Sequence, residues 1–168
     1  NILDELITLA DNNIPYEIIP GITAASGASA YCGIPLTARG FADSVKFITY
    51  SNKNNQSESY WKNLAQSDDT LVFYMSGNRL GSLLDHLSGA GIGNEKQIAV
   101  IEQATTPMQR IRVFRFDNPD IESLVFQSPV LIIIGKVVSL HQQFQWKENA
   151  TSDEVYFKNL LLQPAQAV

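Results

Sequence analysis

Leu3, Leu6, Ile7 and Ala10 recur at the spacing of one helical face, and the pattern stops at Asp11-Asn12-Asn13, which predicts a helix over about 2–11. Residues 14–20 are bounded by prolines and read as a short strand. Beyond Pro20-Gly21 the apolar positions become small. Ala24, Ala25, Gly27, Ala28 and Ala30 suit a helix lying close against a neighbour, capped by Thr23 and running to about Cys32.

Strand patterns follow at 44–50, 69–75, 97–104, 110–116 and 129–138. Two of these, around "TLVFYM" and "PVLIIIG", are continuous apolar runs, the pattern of strands buried on both faces. Helical patterns lie between them at 58–65, at 78–91 with Leu80, Leu83, Leu84 and Leu87 on one stripe, and at 119–126 with a proline in the first turn. Only "TTPMQ" separates 97–104 from 110–116, too few residues for a helical crossover, so these two strands pair antiparallel. The predicted fold is α/β with a mixed sheet and one hairpin. From Gln142 the chain turns polar, with one weakly amphipathic piece at 155–162, and reads as a C-terminal extension.

Composition narrows the class. With 168 residues, 45% hydrophobic and 17% charged, the chain can bury a real core. One cysteine, Cys32, excludes an internal disulfide framework and points to a reducing compartment, with the cytoplasm as the expected location. A net charge of −5 without a basic cluster argues against nucleic acid, and no apolar run approaches the ~20 residues that span a bilayer. The helical pattern is already under way at Ile2, so the chain is expected to begin within a domain.

Candidate chemistry lies where strands end, because ligands of open α/β sheets bind beyond the strands' carboxyl ends. Three such ends carry "PGITAA", "YMSGN" and "EQATTPMQR". An adenosine ligand fits this set: Met75 as a polarizable surface, the backbone near Ala104 for a purine edge, and Thr23 for a polar group. Taken singly, these residues also have ordinary roles, Met75 as core filler, Thr23 as a plain cap and the small residues as close packing. His86 and His141 stand apart from any cysteine or carboxylate cluster and do not read as metal ligands. No spaced carboxylate pair, Ser-His-Asp set or GxGxxG occurs, so no catalytic base is visible.

Several of these segments resemble one family. "IIPGITAASGASAYCGIPLT", "TLVFYM", "EQATTPMQR" and "SPVLIIIGKVVSL" occur in the order and spacing of the tetrapyrrole methylases, most nearly the branch that methylates uroporphyrinogen III. The resemblance covers about 2–140. It implies two α/β domains with S-adenosylmethionine in the cleft between them. Residues 1–20 would then be the last helix and strand of a first domain together with the crossing, 21–141 the second domain, and 142–168 an extension. The implied cofactor contacts fall on Pro20, Thr23, Ala24, Met75 and, through its backbone, Ala104, where the family usually has glycine. Arg39 is the implied contact for substrate carboxylates.

The implied reaction transfers methyl groups from S-adenosylmethionine to two carbons of uroporphyrinogen III, giving precorrin-2 and S-adenosylhomocysteine, in a protein that commonly forms homodimers. The family's first-domain loop and proton-handling residues are expected ahead of Asn1, so the chain by itself is expected to bind cofactor weakly and not to turn over. Departures stand at Ala38 and Gly40, where the family has histidine and aspartate, and at 49–51. They leave open another tetrapyrrole or a different acceptor. A non-catalytic module that binds S-adenosylmethionine and an unrelated nucleotide-binding domain also stay open. Arg39, Lys46, Arg79, Arg110, Arg112 and Lys136 are candidates for a basic rim facing a polycarboxylate.

Overall fold

The computed structural model describes residues 2–50, 56–74, 79–117, 124–152 and 154–157. Helix α1 (Leu3–Asp11) and α2 (Ala24–Cys32) precede β1 (Val45–Thr49), α3 (Glu58–Gln66), β2 (Thr70–Tyr74), α4 (Leu80–Gly89), β3 (Gln97–Glu102), β4 (Arg110–Arg115) and β5 (Val130–Gly135). A 3-10 turn (Lys136–Leu140) then leads into the short α5 (His141–Phe144).

The five strands form one sheet in the order β1-β2-β5-β3-β4. Only β1 and β2 are parallel, joined through α3, while β3 and β4 form the expected hairpin and β5 runs antiparallel between β2 and β3. As a result β1, β2 and β3 all end at one edge of the sheet, and β5 begins there.

Alternation along the central strands builds a core on each face. Leu71, Phe73, Ile98, Val100, Ile132 and Ile134 join Leu64 of α3 and the Leu80, Leu83, Leu84 and Leu87 stripe of α4. Val72, Ala99, Ile101, Leu131 and Ile133 point the other way and join Ala25, Ala28 and Cys32 of α2 with Val137 and Val138. Each fully buried leucine or isoleucine in these layers contributes about 2–3 kcal/mol. The small residues of α2 serve close approach: Ala25 and Ala28 are completely buried against the sheet. Thr23 caps this helix as its sequence predicts, its hydroxyl accepting from Ser26 N–H at 3.2 Å. Gly33 ends it at φ 62°, where a Cβ would overlap the Phe144 carbonyl.

Two expectations change. Residues 14–20 form no strand, because nothing in the described sheet pairs with them; Ile14, Ile18 and Ile19 are exposed, and α1 buries none of its residues. The helix expected at 119–126 lies partly outside the described residues, and its described part is irregular. Side chains of the sheet take up backbone groups here: Arg112 donates to the Val125 carbonyl, and Gln127 N–H, just beyond, donates to buried Glu102.

The described part of the tail beyond α5 is an extension tied back to the domain as a strap. Trp146 donates to the Ala30 carbonyl and packs on Tyr31, with ring centroids 5.3 Å apart. Asn149 brackets Ile111 of edge strand β4, accepting from its N–H at 2.7 Å and donating to its carbonyl at 2.9 Å. Arg110 donates to the carbonyls of Ala150 and Ser152, and Gln103 accepts from Tyr156 N–H at 2.7 Å. No helix among the described residues is long and apolar enough to cross a membrane.

Candidate functional site

A cavity of about 790 Å³ opens at the sheet edge where β2 and β3 end, β5 begins and α2 starts. Its size falls within the roughly 300–1,000 Å³ typical of small-molecule sites. One wall is Ile22, Thr23, Ala24, Gly27 and Tyr31, and the other comprises Ala104, Thr105 and the start of β5 from Ser128 to Leu131. Tyr74, at the end of β2, also lines the cavity, and its hydroxyl accepts from Ala25 N–H at 3.2 Å and fixes the first turn of α2.

The backbone at both walls is left open. Ser26 N–H goes to Thr23 Oγ1, Gly27 N–H to the Thr23 carbonyl and Ala25 N–H to Tyr74, while Ala24 N–H has no partner among the described residues. Opposite it, Gln103 and Thr105 both sit at positive φ, 47° and 67°. That conformation is uncommon outside glycine and is held here by bonds on both sides. Gln103 N–H donates to the Pro129 carbonyl at 2.8 Å, Thr106 donates to the Gln103 carbonyl, and Thr105 N–H donates to Gln109 Oε1 at 2.7 Å. Ala104 stands between them, half-buried, and neither its N–H nor its carbonyl has a partner among the described residues. A donor and an acceptor left open on one lining residue are the pair that the edge of a purine requires.

Of the residues singled out from sequence, Thr23, Ala24 and Ala104 therefore line one cavity. Met75 lies outside the described residues. Pro20 is exposed and is not among the described lining residues. Arg39 is also exposed and away from the described lining, on a tight turn closed by the Ala38–Ala42 bridge with Gly40 at φ 82°.

The expected basic rim does not converge. Lys46 pairs with Asp69 and Lys136 with Asp68, both at the opposite edge of the sheet, where these lysines hold the two carboxyls below their ordinary range. Arg112 pairs with buried Glu102, and Arg110 holds the strap. Arg79 alone of the six lines the cavity.

Tyr74, Tyr31 and Ser128-Pro129, the last joined by a cis peptide, were not anticipated as lining residues. The signal that brings Ser128-Pro129 here is the antiparallel insertion of β5, which local pattern does not reveal. His86 stacks on Trp61 and bonds the Ser82 carbonyl, and His141 bonds the Cys32 carbonyl, so both have structural partners. Burial pushes the Cys32 thiol up to about 12.

A mixed α/β sheet with a cavity at its strand ends and open backbone on its walls is the arrangement in which α/β folds hold small molecules. Residues 2–120 match the tetrapyrrole (corrin/porphyrin) methylases, and the chain belongs to that family. It is 43% identical to siroheme synthase 2 of Yersinia enterocolitica over 148 residues, 88% of this chain and 31% of that protein. Identity to a siroheme synthase of Neisseria meningitidis is 38% over 160 residues, 92% of this chain and 33% of that protein.

The chain thus spans about a third of the length of the curated relatives it matches. Among solved structures, a uroporphyrin-III C-methyltransferase from Thermus thermophilus superposes with a TM-score of 0.69 at 30% identity, covering 86% of this chain and 61% of that one. Another structure of the Thermus thermophilus enzyme, complexed with S-adenosyl homocysteine, gives 0.65 at 25% identity, covering 80% and 57%.

Proposed function

We propose that the chain forms one wall of an S-adenosylmethionine-dependent methyltransferase that converts uroporphyrinogen III to precorrin-2, with residues 21–141 as the methylase domain. The observation that carries this reading is Ala104, which lines a cavity large enough for a nucleoside ligand together with the first turn of α2 and whose N–H and carbonyl have no partner among the described residues. When bound, S-adenosylmethionine would supply a methyl group already activated by its sulfonium. Ala104 would hold the adenine edge, Thr23 and Ala24 a polar group of the cofactor, and Met75 and Pro20 complete the set assigned by resemblance. Such a transfer depends on positioning more than on acid assistance, so rigid walls are the part of catalysis these residues would supply.

The departures at Ala38 and Gly40 favour, as a second reading, a methylase of the same class with another tetrapyrrole acceptor. Calorimetric titration with S-adenosylhomocysteine, with ATP as control, tests the cofactor assignment. Gly27→Val projects a branched side chain from the cavity wall, where a Cβ would already lie 3.4 Å from Thr105 Cγ2. Binding that is abolished by this substitution and absent for ATP supports the proposal. Equal binding of ATP, or binding indifferent to Gly27→Val, refutes it.

A further inference from the structure

Arg79 lines the cavity, and every other described lining residue is uncharged. The side chain is half-buried, and its one bond among the described residues is a long one, 3.4 Å from Nη1 to the Tyr50 carbonyl. A guanidinium offers five N–H donors, so most of its capacity is unused among the described residues. No carboxylate among the described residues pairs with it, in contrast to Lys46, Lys136, Arg112 and Arg115.

Its place in the chain makes the isolation costlier. Arg79 is the N-cap of α4, makes no capping bond, and has no acidic residue in the turn that follows. A helix start is itself electropositive and favours anions, so a cation there opposes local preference. Residues that break a local rule without a compensating contact concentrate at functional sites. What relieves both the unpaired guanidinium and the helix start is an anion inside the cavity, and planar bidentate pairing makes a carboxylate the natural choice.

We infer that Arg79 binds a carboxylate of the ligand held in this cavity, an inference that rests on the methyltransferase reading. Two ligands could supply that group: the amino-acid end of the cofactor, or a side-chain carboxylate of the tetrapyrrole acceptor. The other described lining residues carry no charge, so in either case Arg79 fixes the orientation of the anionic end while Ala104 meets the nucleoside.

The test titrates the 168-residue chain with three probes: S-adenosylhomocysteine, 5′-methylthioadenosine, which keeps the nucleoside but lacks the carboxylate, and uroporphyrin III. Each is measured on the unsubstituted chain, Arg79→Gln, Arg79→Lys and the control Arg115→Gln, whose exposed pair with Asp117 is not part of the described lining. Loss of a charge-assisted bidentate pair predicts that Arg79→Gln weakens at least one carboxylate probe by about tenfold or more, with Arg79→Lys recovering part of the loss. Affinity for 5′-methylthioadenosine should stay within about twofold, because that probe lacks the group Arg79 would hold. Loss confined to S-adenosylhomocysteine assigns the cofactor carboxylate, loss confined to uroporphyrin III assigns the acceptor, and loss of both assigns a shared contact.

The inference fails if Arg79→Gln changes neither carboxylate probe, or if it weakens 5′-methylthioadenosine equally, which would mark a role in shape alone. An unsubstituted chain that binds S-adenosylhomocysteine while Arg79→Gln changes nothing overturns this inference and leaves the methyltransferase reading intact. An unsubstituted chain that binds none of the probes overturns the inference for this chain, because a cavity that holds no ligand gives Arg79 no carboxylate to bind, while the methyltransferase reading, which places the second wall elsewhere, is judged by the Gly27→Val and ATP comparison.

Discussion

Asn149 is the point at which the C-terminal strap substitutes for a missing strand. Its amide accepts from Ile111 N–H at 2.7 Å and donates to the Ile111 carbonyl at 2.9 Å, satisfying both backbone groups on the outer edge of β4. Asn149→Ala removes both bonds. At about 0.5–1.5 kcal/mol net for each, and with water able to reach the freed groups, the expected loss is ~1–2 kcal/mol. For a chain of this length that lowers Tm by roughly 2–8 °C.

Asn149→Asp separates bonding from packing. An ionised carboxylate can still accept from Ile111 N–H, but it turns a second acceptor toward the Ile111 carbonyl, so Asn149→Asp should be at least as damaging as alanine at neutral pH. The difference should shrink in acid, where the protonated acid can donate. The assay is urea unfolding of the three proteins together with hydrogen exchange at Ile111. An unchanged urea midpoint with unchanged protection of the Ile111 amide in Asn149→Ala would refute the docked strap.

Lys96 is almost fully buried, with its ammonium on the Ala65 and Ser67 carbonyls at the end of α3; burial lowers its pKa, and Lys96→Met should cost about 1.5–3 kcal/mol, read by urea unfolding. Cys32, its thiol raised by burial to about 12, contributes stability that is fully present below its ordinary value of 9.0 and is lost as pH rises toward 12. The unfolding midpoint should therefore fall between pH 8 and about 10.5 more steeply in the unsubstituted chain than in Cys32→Ala, a comparison that cancels the opposite trend of Lys96. Gly33→Ala combines a positive φ with overlap on the Phe144 carbonyl and should destabilise by about 1–3 kcal/mol while releasing the strap, seen as increased solvent exposure in Trp146 fluorescence.

Elements that satisfy themselves locally were legible in the chain. Thr23 caps α2 because a hydroxyl three residues from an amide needs nothing else, and the Leu80–Leu87 stripe declares its buried face whatever it packs against. The hairpin followed from a connection too short for anything else. What the chain concealed depends on partners distant in sequence. Residues 14–20 have strand composition but no described neighbour to pair with. The polar tail reads as an appendage until Asn149, Gln103 and Trp146 are seen meeting backbone from other elements.

The candidate site divides along the same line. Thr23, Ala24 and Ala104 could be named from motif and resemblance, and the fold brings them to one cavity. Tyr74, Ser128 and Pro129 join them only because β5 inserts antiparallel between β2 and β3. Charge was the least legible feature. Six cations looked equivalent in sequence, yet four are occupied by Asp68, Asp69, Glu102 and the strap carbonyls, and only Arg79 reaches the cavity.

The central claim is that a nucleoside sits between the start of α2 and the Ala104 backbone. The most direct measurement is an amide-resolved NMR titration of the chain with S-adenosylhomocysteine. The account predicts that the largest shifts fall on Ala24, Ala104 and Thr105, with Lys46 and Asp69 at the far sheet edge unmoved. Saturable binding whose shifts leave Ala24 and Ala104 in place would contradict it.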